Sequence, residues 1–302
     1  MNVIVRLLST LGLAAAAFAA PAQVHAPEAS PATEPAPALR VMFIGNSLTY
    51  TNNLPRMVAA VAASQPGGPV IQTATYAIPG AELDDLWDDG HAAEALRGGE
   101  WDVVVLQELG GLLSCVRRSE RDPVCRRSAA AHRAFVELAQ DRGARVLLLE
   151  TWQRPRGIDW GGPAELRQRK EISADTYQRF ARWIARDGAT IRIVPAAGAL
   201  FDFAAGHPIA QVLSDGAHPS IASSTIMAAQ LYAAITGRQA EPQDLMLDFP
   251  MLPAAADVRA DAPMETQPQL AGDGSRFLVK AALLAPMYAI ANGAPTYPEK
   301  CA

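Results

Sequence analysis

Two short segments constrain the fold of this chain more than any others. Val103-Val104-Val105-Leu106 and Val146-Leu147-Leu148-Leu149 are unbroken apolar runs, the signature of strands covered on both faces of a parallel sheet. They sit in strand candidates Trp101–Leu106 and Ala144–Glu150, alongside Arg40–Ile44, Val70–Ala77 and Thr190–Pro195. Helix-like stretches fill the gaps. The first is capped by Asn53, has Pro55 in its opening turn and runs to about Ser64. The others are Glu82–Arg97, Arg127–Arg142, Ala164–Asp187 and Pro219–Thr236. Such β-α repetition predicts a mainly parallel five-stranded sheet inside a three-layer α/β/α sandwich. No internal repeat divides it, so one domain is expected from residue 39 onward.

The two ends have a different character. Met1 to Arg6 is a short basic opening, Leu7 to Ala20 is apolar, and Val24-His25-Ala26 offers a small-residue cleavage site. This pattern predicts a secretory signal peptide over 1–26 rather than an anchor, since a spanning helix needs ~20 apolar residues. Residues 27–38, PEASPATEPAPA, form a Pro/Ala-rich spacer. The product is expected in the periplasm or outside the cell, with no stable membrane anchor after cleavage. Export favours a disulfide between Cys115 and Cys125, whereas Cys301 is expected to be free. Beyond Gly237 an irregular, Pro- and Asp-rich extension is expected, ending in a helix over Phe277–Asn292.

Charge narrows the partners. The net charge is −5, and loss of 1–26 removes one cation, Arg6, and no acid. An acidic balance of this kind argues against a nucleic-acid partner.

Ligand sites on open parallel sheets lie beyond the carboxyl ends of the strands. The first strand ends there in Gly45-Asn46-Ser47, the second in Pro79-Gly80, and the third in Gln107-Glu108 and Gly110-Gly111. Far downstream, Asp215-Gly216-Ala217-His218 places a carboxylate three residues before an imidazole. A hydroxyl, an imidazole and a carboxylate are the parts of an acyl-transfer site. The elbow Gly-x-Ser-x-Gly of the alpha/beta-hydrolases is absent, because Leu48-Thr49 follows Ser47.

Gly45-Asn46-Ser47-Leu48-Thr49 resembles the first block of the SGNH hydrolases, the GDSL-type esterases and lipases. Gly80 looks like that family's second-block glycine, and Asp215-Gly216-Ala217-His218 resembles its last block. The chain departs from the pattern twice: Asn46 stands where Asp is commonest, and Gln107 replaces the third-block Asn. The resemblance implies a flavodoxin-like fold, Ser47 as nucleophile, His218 as base and Asp215 as its orienting acid. It also implies an oxyanion hole built from the N–H groups of Ser47 and Gly80 with the Gln107 amide. No metal or organic cofactor is required. The implied activity is hydrolysis of a short acyl ester, with acetyl on a carbohydrate as the leading substrate. The same residues serve an O-acyltransferase when a sugar hydroxyl replaces water, and a carbohydrate-binding protein that lost turnover is the non-enzymatic alternative.

Glu108 and Trp152, at the ends of the third and fourth strands, are candidates to contact substrate. Trp152, with Trp160 nearby, would stack on a sugar ring, line an acyl pocket or pack its own loop. Arg117, Arg118, Arg121, Arg126 and Arg127 cluster around the two cysteines. They form either a solvated basic loop or a surface for an anionic substrate. His91 and Glu94 have a spacing found in metal sites but lack a third ligand. His132 and His207 are expected to be structural or on the surface.

Overall fold

The computed structural model describes residues 38–155, 159–185, 190–272, 274 and 276–293. The expected leader, Cys301 and all of the spacer except Ala38 lie outside these residues. Five strands, β1 (Leu39–Gly45), β2 (Ile71–Ala77), β3 (Val103–Gln107), β4 (Arg145–Leu149) and β5 (Ile191–Val194), form one sheet. Their order is β2-β1-β3-β4-β5 and every pairing is parallel. The helices are α1 (Ser47–Tyr50), α2 (Leu54–Ser64), α3 (Leu83–Asp89), α4 (His91–Gly98), α5 (Pro123–Asp141), α6 (Pro163–Ile184), α7 (Ala196–Ala204), α8 (Ile209–Val212), α9 (Ile221–Thr236) and α10 (Ala281–Gly293).

The unbroken apolar runs are explained by where alternate residues go. Val41, Phe43, Val103, Val105, Leu147 and Leu149 join a core with α2, α7, α9 and α10. Their neighbours Met42, Ile44, Val104, Leu106, Val146 and Leu148 join a second core with α3, α4, α5 and the end of α6. Each of these strand side chains thus leaves water on one face or the other, and burial of a Val, Leu, Ile or Phe side chain is worth roughly 1.5–3 kcal/mol. The result is the three-layer sandwich.

Several boundaries differ from those expected, each for a local reason. Glu82–Arg97 is two helices, because Gly90 takes φ 85 between them. The helix expected from Arg127 starts earlier, at Pro123, where the Asp122 carboxylate accepts the Val124 N–H at 3.0 Å. Asn53 stands at the N-cap of α2, as expected, but its side chain makes no cap bond. Its backbone is left-handed and its amide donates to the Pro250 carbonyl at 3.1 Å. Helix α9 begins at Ile221 rather than Pro219, with Ser220 as its cap. Phe277–Asn292 divides into a strand, β7 (Phe277–Val279), and α10, with β7 pairing antiparallel to β6 (Leu245–Leu247). Among the described residues no helix is long and apolar enough to cross a membrane.

The segment after α9 is more ordered than its composition predicts. Leu252, Val258, Met264 and Leu270 bury against Tyr50 and Ala77 in a small third core. Glu265 fastens this layer to the sheet edge by accepting from Thr75 N–H and Oγ1 at 2.8 and 2.7 Å.

Cys115 and Cys125 form a disulfide across ten positions and both are buried. Closure of a loop that short is worth about 2–3 kcal/mol. A Cys115→Ala/Cys125→Ala double variant is therefore expected to unfold at lower denaturant by about that free energy. Dithiothreitol should lower the wild-type midpoint to the variant's and leave the variant unmoved.

Candidate active site

The site starts at the turn after β1. Asn46 caps α1, accepting the Leu48 N–H on Oδ1 at 3.1 Å. Ser47, the first residue of that helix, is 9% exposed. Gly45 leaves no room for a side chain: an added Cβ would lie 2.5 Å from Gln107 Oε1 and 2.6 Å from Thr49 Oγ1. Glycine is required there because Gln107 fills the space.

The Asp215–His218 segment folds back on itself. Ser214 N–H donates to the His218 carbonyl at 2.9 Å, and Gly216 takes φ 78. Asp215 Oδ1 accepts the backbone N–H groups of Ala217 and His218 at 2.9 and 2.8 Å. Its Oδ2 lies 2.7 Å from His218 Nδ1, and His218 Nε2 lies 2.9 Å from Ser47 Oγ. Partial burial pushes the Asp215 carboxyl up, but the hydrogen bonds from His218 and Ala217 outweigh it and hold its pKa down to about 2. Three residues from opposite ends of the domain thus form one continuous hydrogen-bonded chain. Such a chain can take a proton from a serine hydroxyl while keeping the imidazole in one tautomer.

Other contacts hold the two loops in register, and sequence reasoning missed them. Asn52, with φ 58, donates its amide to the Pro219 carbonyl at 2.8 Å and to Ser224 Oγ at 3.0 Å. Asn46 Nδ2 donates to the Ala81 carbonyl at 2.8 Å, tying the Gly80 turn to the Ser47 turn. Trp152 donates its indole N–H to the Ala217 carbonyl at 2.9 Å. A left-handed Asn carries a weak sequence signal; the partners of these amides carry none.

A cavity of about 490 Å³ opens over Ser47 and His218. Gly80, Trp152, Arg154 and Ala254 contribute to its lining. Gly80 has φ 72. Among the described residues neither its N–H nor that of Ser47 has a protein acceptor. Ala254 comes from the C-terminal segment, where its carbonyl accepts the Tyr50 hydroxyl at 2.7 Å.

Two expectations are corrected. Gln107 does not present its amide to the cavity. Its Nε2 donates to the Glu108 carbonyl at 2.6 Å, and its Oε1 accepts from Asn46 N–H and Thr49 Oγ1 at 2.8 and 2.7 Å. A side chain so fully engaged braces the Ser47 turn from beneath. Glu108 does not reach the cavity either. It is fully buried, accepting from Leu83 and Leu109 N–H and from Ser128 Oγ at 3.0, 2.7 and 2.6 Å. Trp160 is buried against Phe201 and donates to the Gln153 carbonyl, away from the cavity. His91 bonds Asp89 rather than Glu94, His132 is buried with Nδ1 against the Ser128 carbonyl, and His207 bonds the Phe203 carbonyl.

No protein-family model matches the sequence, and no curated protein matches it. Solved structures do resemble it. A DUF4886 family protein from Bacteroides uniformis superposes with TM-score 0.50 at 15% identity, covering 67% of this chain and 84% of its own. That likeness supports the same α/β fold. A GDSL-like lipase from Parabacteroides merdae matches with TM-score 0.49 at 13% identity, over 67% of this chain and 97% of its own. Axe2, an acetylxylan esterase from Geobacillus stearothermophilus, gives TM-score 0.44 at 17% identity, over 66% and 94%.

Burial raises the Glu108 carboxyl to about 7 against the pull of its three hydrogen bonds. An acid raised in the folded state contributes stability fully below its unfolded value, loses it as pH rises, and levels off above the folded value. Glu108→Gln removes that loss, and Ser128 can turn its hydroxyl to accept from the new amide. The variant's stability relative to wild type is expected to rise by roughly 2–3 kcal/mol between pH 5 and pH 8. Urea denaturation at the two pH values measures it.

Proposed function

We propose that this protein is an exported serine esterase that removes a short acyl group, acetyl in the first instance, from a carbohydrate or related envelope compound. The observation that carries the proposal is the Ser47–His218–Asp215 chain, with contacts of 2.9 and 2.7 Å at the floor of an open cavity. Ser47 Oγ attacks the ester carbonyl while His218 Nε2 takes its proton. His218 then returns that proton to the leaving alkoxide, and water releases the acyl group by the reverse sequence. Asp215, with its pKa near 2, stays ionised through the working range and stabilises the imidazolium. The backbone N–H groups of Ser47 and Gly80 are the donors aimed at the tetrahedral oxyanion; Gln107 serves them indirectly by fixing the turn. Each such donor is typically worth 10²–10³ in rate.

A cavity of about 490 Å³ has room for an acyl group and part of the alcohol. The carbohydrate and the periplasmic or secreted location rest on the sequence resemblance and on the leader-like N-terminus.

Ser47→Ala is expected to abolish hydrolysis of p-nitrophenyl acetate, and Asp215→Asn to lower kcat by about 10⁴. Turnover unchanged in Ser47→Ala contradicts the proposal.

A further inference from the structure

A second cavity, of about 470 Å³, lies on the other side of Trp152. The ridge between the two is made by Gly110-Gly111 packed against Trp152-Gln153. A Cβ at Gly110 would come 2.8 Å from the Trp152 carbonyl oxygen, and one at Gly111 3.1 Å from the Gln153 side chain. Trp152 lines both cavities, so a substrate held over Ser47 need only cross this ridge to enter the second.

The chemistry of the second cavity is distinctive. Arg117, Arg118 and Arg169 line it, and among the described residues no Asp or Glu does. Arg118 is paired with Asp122 at 3.2 Å, and Arg169 uses Nε on the Trp160 carbonyl at 2.9 Å, which leaves its terminal nitrogens available. Arg117 has no partner among the described residues and stands exposed at the end of the 3-10 helix Leu112–Arg117. The Cys115–Cys125 disulfide anchors that helix, so Arg117 is presented from a fixed base. Trp152, Tyr177 and Phe201 also line it but are buried, so the exposed polar lining is mainly arginine. Arg121, Arg126 and Arg127 do not line the cavity, and Arg127 pairs with Asp84 at 3.2 Å. Of the five arginines clustered in sequence, two face a cavity beside the site. On the near side of the ridge, exposed Arg154 adds a further cation at the mouth of the first cavity.

Guanidinium groups bind carboxylates in a planar, two-pronged geometry. The proposed substrate is a carbohydrate ester, so the carboxylate within reach across the ridge is one on a neighbouring sugar of the same chain. We propose that the second cavity binds a carboxylate-bearing sugar on the same chain as the ester, making the substrate an acylated acidic glycan. This rests on the esterase reading above and deepens it.

The test compares kcat/KM for an acetylated oligouronide and an acetylated neutral oligosaccharide of equal length, in wild type, Arg117→Glu and Arg121→Glu. Wild type should favour the acidic substrate. Arg117→Glu should lower the acidic-to-neutral ratio about tenfold, mainly through KM, and Arg121→Glu should leave that ratio alone. Calorimetry with a non-acetylated oligouronide separates this inference from the esterase reading, because it needs no turnover. Binding should persist in Ser47→Ala and weaken about tenfold in Arg117→Glu. An unchanged ratio together with unchanged binding in Arg117→Glu overturns the inference. Inorganic phosphate binding as tightly as the oligouronide overturns the sugar assignment in favour of a phosphate site.

Discussion

The Gln107 side-chain oxygen, buried between the Asn46 N–H and the Thr49 hydroxyl, is the contact on which the rest of the site depends. An uncompensated polar group at that depth would cost on the order of 1–3 kcal/mol, so all three partners are held to one geometry. It fixes where β1 ends, dictates glycine at position 45, and sets the direction in which α1 leaves the sheet. Ser47 sits at the first residue of that departure. Its placement is therefore a property of the strand ends and is insulated from motions of the surface loops.

The His218 side of the site is held by different means. The Asp215 carboxylate satisfies two backbone N–H groups of its own loop as well as the ring, so the acid builds the turn that it then serves electrostatically. Asn52 and Trp152 hold this small loop to α9 and to the end of β4. Two sub-assemblies, one on the sheet and one on a self-closed turn, meet at the 2.9 Å contact between Ser47 and His218 and at the Asn52 amide on the Pro219 carbonyl. Preorganisation of this kind places donors and acceptors before any substrate arrives.

The sheet was legible because the continuous apolar runs of β3 and β4 admit few alternatives, and all five strands fall within the expected segments or within one residue of them. The meeting of Ser47, Asp215 and His218 was legible because residues beyond parallel strand ends share one edge. What sequence could not convey was the direction of side chains whose chemistry is ambivalent. Gln107 has the same amide whether it faces the cavity or the turn, and the unmet Asn46 N–H decides the matter. Glu108 likewise was a candidate to contact substrate, yet three donors draw it inward. The start of α5 was missed because Asp122 caps it earlier than expected, whereas α2 starts after Asn53 as expected although that side chain serves the C-terminal segment.

The Tyr50 hydroxyl, bonded to the Ala254 carbonyl, carries one more consequence. Part of the rim over Ser47 is borrowed from a stretch synthesised well after β5. A nascent polypeptide with every sheet strand already emerged still has a gap in that rim. Translation products that stop between His218 and Ala254 hold Ser47, Asp215 and His218 without this part of the enclosure around them.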